Sequence, residues 1–92
     1  MKHLIILDVR TPIGAIYAAG NNDGIVTDGD LCHPALSCTE IVTDSPYYIF
    51  ATRTLEKEVA SHQSLYLPHG SVVAVYQYDE SSSPPILGFS PA

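Results

Sequence analysis

Residues Gly20–Cys38 hold the chain's densest group of side chains that can do chemistry. Their sequence, GNNDGIVTDGDLCHPALSC, contains three aspartates, two cysteines and one histidine. Such residues ligate metals, activate water and serve as nucleophiles. The segment therefore raises the question of whether the protein is an enzyme, and the spacing of these residues has to answer it.

A calcium site of the EF-hand type does not fit this segment. Such a loop needs acids at positions 1, 3 and 5, glycine at position 6 and glutamate at position 12. If Asp28 is position 1, Asp30 falls at position 3, but Cys32 falls at position 5 and Thr39 at position 12. The aspartates instead lie in Asn-, Asp- and Gly-rich stretches that are typical of turns.

The thiols and imidazoles offer a second kind of site. A zinc site would use Cys32, His33 and Cys38, and a further ligand would come from His62 or His69. The spacing matches neither the C-x-x-C nor the H-x-x-x-H pattern of zinc and redox sites. The P-loop, GxGxxG, GxSxG and HExxH signatures are also missing from the sequence. We therefore expect no enzyme activity, no cofactor and no bound metal, with a metal- or thiol-dependent protein built on these residues as an alternative.

The charge distribution favours a protein partner over a nucleic acid. The net charge is −6, and no lysine or arginine lies between Thr11 and Thr52. Phosphate binding requires clustered cations, so direct nucleic-acid binding is not expected. An acidic surface is suited to a protein partner with a basic surface, and it also keeps a small protein soluble.

Size and composition predict one folded domain spanning residues 1–92. The chain is 46% hydrophobic and only 15% charged, which is the reverse of a disordered composition. No stretch is long and apolar enough for a membrane span, and the N-terminus lacks the pattern of a signal peptide. We expect a cytoplasmic protein that does not bind membranes, with its two cysteines as free thiols.

The elements that must position these residues are mostly strands. Short apolar, β-branched and aromatic runs between Gly and Pro punctuation predict them. The predicted strands are His3–Val9, Ala15–Ala19, Ile25–Asp28, Thr39–Thr43, Tyr47–Thr52, Ser71–Tyr78 and Ile86–Phe89. A hairpin is predicted at Asn21–Gly24, and Gly29–Ser37 is predicted as a loop because it contains Pro34 and lacks periodicity.

One helix is predicted, at about residues 53–64. Thr52 or Thr54 would cap it, and Glu56 and Glu58 would lie in its first turns, where the helix dipole favours acids. The fold class is therefore α+β, a small and mainly antiparallel β-sheet with this helix packed on one face.

Tyrosines on the uncovered face are the predicted anchors of a binding surface. Tyr76 and Tyr78 share one side of their strand because strand side chains alternate, whereas Tyr47 and Tyr48 point to opposite sides. Together with the acids of the cation-free segment they form the predicted partner-binding set. Its members are Asp23, Asp28, Asp30, Glu40, Asp44, Tyr76 and Tyr78.

The resulting hypothesis is a small acidic, non-enzymatic protein that acts by protein–protein interaction. Its sharpest form is a phage or mobile-element inhibitor that blocks a basic nucleic-acid-binding surface of a host complex, in the manner of DNA mimics and anti-CRISPR proteins. This form requires the acids to cluster in space. The alternative is a homo-oligomeric structural or regulatory subunit that pairs through edge strands such as Ile41–Thr43 or Ile86–Phe89.

Overall fold

A computed structural model describes residues 2–55, 61–79 and 88–91. One helix and eight strands lie in these ranges, and a 3-10 turn at His69–Ser71 joins β6 to β7. The elements are β1 Lys2–Leu7, α1 Pro12–Ala19, β2 Gly24–Asp28, β3 Leu31–Cys38, β4 Glu40–Val42, β5 Tyr48–Leu55, β6 Ser61–Pro68, β7 Val72–Tyr78 and β8 Phe89–Pro91.

The strands form two antiparallel sheets. The first has five strands in the order β7-β1-β3-β2-β8, and the second has three in the order β4-β5-β6. The predicted α+β class, mainly antiparallel with a single helix among the described residues, is confirmed. The strands predicted at the positions of β1, β2, β4, β5 and β7 are also found, with shifted ends. Of the predicted strand Ile86–Phe89, residues 86–87 lie outside the described residues and Phe89 begins β8.

The predicted position of the helix is wrong. Residues 53–55 belong to β5 and 61–64 to β6, which pair residue by residue, and 56–60 lie outside the described residues. The pairing overrides a sequence pattern that resembled a helix start. The helix is instead Pro12–Ala19, where a strand was predicted. Thr11 caps it by accepting a hydrogen bond from the Gly14 N–H, and a Cβ at Gly14 would collide with the Asp8 carbonyl group.

The predicted hairpin and loop are also corrected. Asn21–Gly24 leads from α1 into β2, and the hairpin lies between β2 and β3, where the positive φ of Gly29 suits a type II′ turn. The segment predicted as a loop forms most of β3. Pro34 is tolerated there because β3 pairs with β2 through Ala35 and with β1 only from Ala35 onward. Proline lacks a backbone N–H, but Pro34 lies beyond the residues of β3 that pair with β1, so the ladder between these two strands is intact.

The core lies between the two sheets. Its buried side chains come from β1, β3, β5 and β6, and side chains of α1 pack against them. They are Ile5, Leu7, Leu36, Cys38, Ile49, Ala51 and Leu67. A smaller cluster, centred on Leu4, Ile6 and Ala35, lies on the opposite face of the five-stranded sheet. The three-stranded sheet thus buries one face and turns the other outward.

Candidate functional site

The predicted acids do not form one cluster. Asp28 ends β2 and Asp30 lies in the turn of the β2–β3 hairpin, whereas Glu40 lies on β4 and Asp44 in the loop that follows it. The eight residues of β3 separate the two pairs, a span of about 25 Å for an extended strand. All four side chains are exposed. The structure therefore presents two acidic groups at opposite ends of β3.

Asp23 is held in a contact that joins the two halves of the fold. Its Oδ2 accepts hydrogen bonds from Arg53 Nη2 at 2.9 Å and from the Ser37 backbone N–H at 2.7 Å. Arg53 Nη1 donates to the Asn21 carbonyl at 2.7 Å, and the guanidinium lies 5.9 Å from the centre of the Tyr17 ring. The Arg53 side chain is only 2% exposed. Asp23 thus neutralises a buried cation that ties β5 to the start of β2.

Tyr76 and Tyr78 share one face of β7, as the alternation predicts. Tyr78 packs against the Leu4 cluster, and its hydroxyl lies 2.7 Å from Ser37 Oγ. Tyr76 is 41% exposed. Both rings lie on the side of the five-stranded sheet that faces away from the three-stranded sheet, so they do not join Glu40 in one surface.

The side chains of Cys32, His33 and Cys38 lie in different environments. Cys32 is exposed and His33 buried, and the His33 Nδ1 accepts a hydrogen bond from the Val9 N–H at 3.1 Å. Cys38 lies in the core, where burial raises the pKa of its thiol to about 11. Among the residues described, no three His, Cys, Asp or Glu side chains are placed to hold a metal ion.

The outer face of the three-stranded sheet carries a group of exposed aromatic side chains. Cross-strand pairing aligns Val42 on β4 with Phe50 on β5 and Phe50 with Tyr66 on β6. Tyr66 is 67% exposed, Tyr48 47% and Tyr47 73%. The prediction that Tyr47 and Tyr48 point to opposite sides is wrong, because Tyr47 lies in the loop before β5 and its ring contacts that of Tyr48. We call this surface the aromatic face. It comprises Val42, Tyr47, Tyr48, Phe50 and Tyr66.

The aromatic rings support one another through edge and tilted contacts. The ring centres of Phe50 and Tyr66 are 5.1 Å apart, those of Tyr48 and Tyr66 6.1 Å, and those of Tyr47 and Tyr48 6.4 Å. The interplanar angles run from 55° to 80°. Such contacts are favourable beyond simple burial, and they fix the orientation of each ring.

The loop that carries Tyr47 is also held in place. Ser45 Oγ accepts hydrogen bonds from the N–H groups of Tyr47 and Tyr48 at 3.2 and 3.3 Å. The Ser45 carbonyl lies 2.9 Å from His69 Nε2, and the His69 N–H donates to the Tyr47 carbonyl at 3.3 Å. The aromatic face is therefore organised in the absence of a partner, which reduces the entropy lost on binding.

Carboxylates border the aromatic face. Glu40 pairs with Thr52 and points to the same side as Val42, and Asp44 lies in the loop between Val42 and Tyr47. Arg53 points inward, and within the described ranges this face carries no lysine or arginine. The surface is thus apolar at its centre and acidic at its margin.

Sequence reasoning missed the aromatic face for one reason. The alternation of β5 separates Tyr48 and Phe50 from Ile49 and Ala51, and this signal was available in the sequence. The segment before Tyr66 was predicted to be a helix, however, so Tyr66 had no place beside Phe50. Its pairing with Phe50 appears only with β6.

The comparisons with known proteins give no match. No protein-family model fits the sequence, and no curated protein or solved structure shows significant similarity to it. Within the described ranges, no helix is both long and apolar enough to cross a membrane.

Proposed function

We propose that this protein is a non-enzymatic binding protein whose aromatic face docks on another protein. The observation that carries the proposal is the exposure of Tyr48 and Tyr66 side by side on a sheet face, with Tyr47 beside them in the adjoining loop. Contiguous exposed apolar surface is uncommon on monomeric proteins and marks interaction sites. Tyrosine is enriched at protein interfaces and among the residues that dominate their affinity.

Ring geometry and charge favour a protein over a nucleic acid or a sugar chain as the partner. A platform that stacks flat bases or sugar rings is best served by coplanar side chains, whereas these rings are inclined by 55° to 80°. The inclined rings leave uneven apolar surface, which suits side chains of a folded partner. Glu40 and Asp44 at the margin would repel phosphates.

The acidic margin also indicates the chemistry of the partner. A partner with basic residues around an apolar contact would complement Glu40, Asp44 and the net charge of −6. Complementary charge accelerates association and excludes wrong partners more than it adds affinity. The partner therefore has apolar side chains at the centre of its contact and lysine or arginine at the rim.

The inhibitor hypothesis is the finer form of this proposal. A basic, nucleic-acid-binding surface of a host complex is the kind of partner that such a face would cover. Asp28 and Asp30 lie about 25 Å from Glu40 along β3. These two acids would contribute to binding only if the partner's covered surface extends over that distance. The aromatic face and its adjoining acids carry the proposal without them.

The test begins with capture of partners on the tagged protein at low and high salt, followed by identification by mass spectrometry. The captured protein is then purified, and its affinity is measured by calorimetry for Tyr66→Ser and for a control of matched exposure on α1, Ile16→Ser. Loss of a residue that dominates an interface costs about 2 kcal/mol or more, roughly a thirtyfold weaker Kd. We expect this loss for Tyr66→Ser and near wild-type affinity for Ile16→Ser.

A second pair of variants tests the charge argument. Glu40→Lys is expected to slow association with the captured protein and to reduce its salt dependence, whereas Asp28→Lys at the hairpin changes the rate less. Capture of a protein that binds Tyr66→Ser as tightly as the wild type would contradict the proposal. Equal effects of Glu40→Lys and Asp28→Lys would contradict the assignment of the acidic margin.

A further inference from the structure

The strand β7 is an edge of the five-stranded sheet, and beyond a bulge at its start it lacks the usual protection against pairing. It pairs only with β1 among the described strands, and its sequence, VVAVYQY, contains no charge, proline or glycine. Edge strands are normally blunted by lysine, proline, bulges or short length, because unpaired N–H and C=O groups attract another strand. The opposite edge of this sheet, β8, has three residues in the described part of the chain.

We propose that β7 pairs with β7 of a second copy of this chain and joins the two sheets into one of ten strands. This surface is separate from the aromatic face, so the inference does not depend on the proposed function. A two-fold axis near Val75 pairs Ala74 with Tyr76 of the second copy and Val73 with Gln77. The small Ala74 side chain leaves room for the Tyr76 ring, which is 41% exposed in the single chain.

The lack of charge makes this edge suited to a second copy of the chain. Most surfaces of a chain with net charge −6 repel a copy of themselves, whereas β7 carries no charged side chain. In an antiparallel pair, Asp79 of one chain lies beside Ser71 of the other, and the two Asp79 side chains lie at opposite ends. The pairing therefore brings no like charges together along the strands.

The register of β7 with β1 confines the regular ladder to the second part of the strand. The shift between Ile6 and Leu7 places an extra residue, Val73, on β7 at its start. From Ala74 to Tyr78 the pairing is unbroken. This regular segment contains Val75, where the two-fold axis is proposed.

Pairing of this kind has a consequence for binding. Residues opposite each other in a sheet point to the same side, so both three-stranded sheets lie on one side of the joined sheet. The dimer then presents two aromatic faces in one direction. A partner with repeated sites would bind such a dimer with higher avidity than a single chain.

The test is the molar mass by light scattering over a roughly hundredfold range of concentration. The wild type is expected to approach twice the 9.9 kDa mass of one chain at the high end and to dissociate on dilution. The double variant Val73→Glu, Gln77→Glu places carboxylates opposite each other at both cross-strand pairs and is expected to remain monomeric. The charge-swapped variant Val73→Lys, Gln77→Glu is expected to restore the dimer. Thr27→Glu, an exposed position on the interior strand β2, is the control.

Hydrogen exchange of the wild type provides a measurement that does not depend on the folding of any variant. The β7 amides are expected to gain protection at high concentration, while those of β2 do not. A monomer at every concentration, or a dimer that survives Val73→Glu, Gln77→Glu unchanged, would overturn the inference. Either result leaves the partner-binding test on Tyr66 unaffected.

Discussion

The two faces of β5 differ in the chemistry of their side chains. On the inner side, Ile49 and Ala51 are buried in the core, and Arg53 is buried with its charge neutralised. On the outer side, Tyr48 and Phe50 alternate with them in a cluster of rings that solvent reaches. The same strand thus places a charge inside and aromatic rings outside.

The inner face of β5 stabilises the fold, whereas its outer face presents side chains to solvent. A buried charge is costly unless partners compensate it. Arg53 has an ion pair, a carbonyl acceptor and a tyrosine ring, while its Nε has no hydrogen-bond partner among the described residues. Large apolar side chains that stay exposed gain little from folding, so stability does not explain them. Substitutions on the inner face should therefore lower the stability of the fold, whereas those on the outer face should lower partner binding. The expected effects on stability run from the largest, at Asp23, to the smallest.

The largest loss of stability is expected for Asp23→Ala. Removing this carboxylate leaves the Arg53 charge buried and unpaired, which costs about 4 kcal/mol of unfolding free energy. Urea denaturation measures the change. The matched control, Asp28→Ala at the exposed hairpin turn, should cost less than about 1 kcal/mol. Similar losses for the two variants would show that the Arg53 contact does not support the fold.

A smaller loss is expected for Arg53→Met. Methionine fills most of the space of the arginine stem, and the Asp23 carboxylate that remains is 38% exposed and can be hydrated. The expected cost is about 2 kcal/mol in the same denaturation experiment. If this variant proved less stable than Asp23→Ala, the loss would come from packing of the arginine and not from its charge.

The outer face should tolerate substitution. Tyr66→Ser loses ring contacts with Tyr48 and Phe50 but creates no cavity in the core, so the unfolding free energy should fall by no more than about 1 kcal/mol. Thermal unfolding followed by circular dichroism tests this. A cost as large as that of Asp23→Ala would place Tyr66 in the structural core and remove the basis for a binding face.

The last effect is absent at neutral pH, appears only under alkaline conditions and concerns Cys38 between the sheets. Burial raises the pKa of its thiol from 9.0 to about 11. The folded state therefore holds this proton more tightly than the unfolded state, and the stability it confers is complete below pH 9.0 and disappears as the pH rises through about 11. The decline between these values should be shallower in Cys38→Ala, measured by urea denaturation across the same range. An identical decline would mean that the thiol does not titrate with folding.

Strands with a continuous run of β-branched and aromatic residues could be predicted from the sequence. The strands β1, β5 and β7 have such runs. In each of them the strand preference of the residues agrees with their place in a sheet. β3 was missed because Pro34 is usually excluded from a central strand. It is accommodated only because β3 changes partners at Ala35, which is a property of the whole sheet.

The helix was misplaced because one weak local signal was followed, while another was interpreted as the end of a strand. The threonines and glutamates near residue 54 resemble the start of a helix, and the Thr11–Pro12 pair resembles one as well. The long register between β5 and β6 excluded the first, and α1 began at the second. Local sequence cannot decide between such signals when the outcome depends on pairing between distant segments.

The contacts of the candidate site likewise depend on pairing between distant segments and could not be predicted from local sequence. Asp23 and Arg53 are thirty residues apart in sequence, so their ion pair could not be predicted from spacing. The predicted acids were chosen for the absence of nearby cations, and one of them proves to face a cation brought by β5. Glu40 and Asp44, in contrast, lie beside the aromatic face.

The measurement that tests the aromatic face most directly is its footprint in a complex with the captured partner. Isotope-labelled protein is titrated with the purified partner, and the backbone amide signals are followed by NMR. The account predicts that the perturbed amides lie on β4, β5, β6 and in the loop at residues 43–47, while those of the Asp28–Asp30 hairpin change little. A footprint centred on that hairpin or on β7, with the amides around Tyr48 and Tyr66 unchanged, would contradict it.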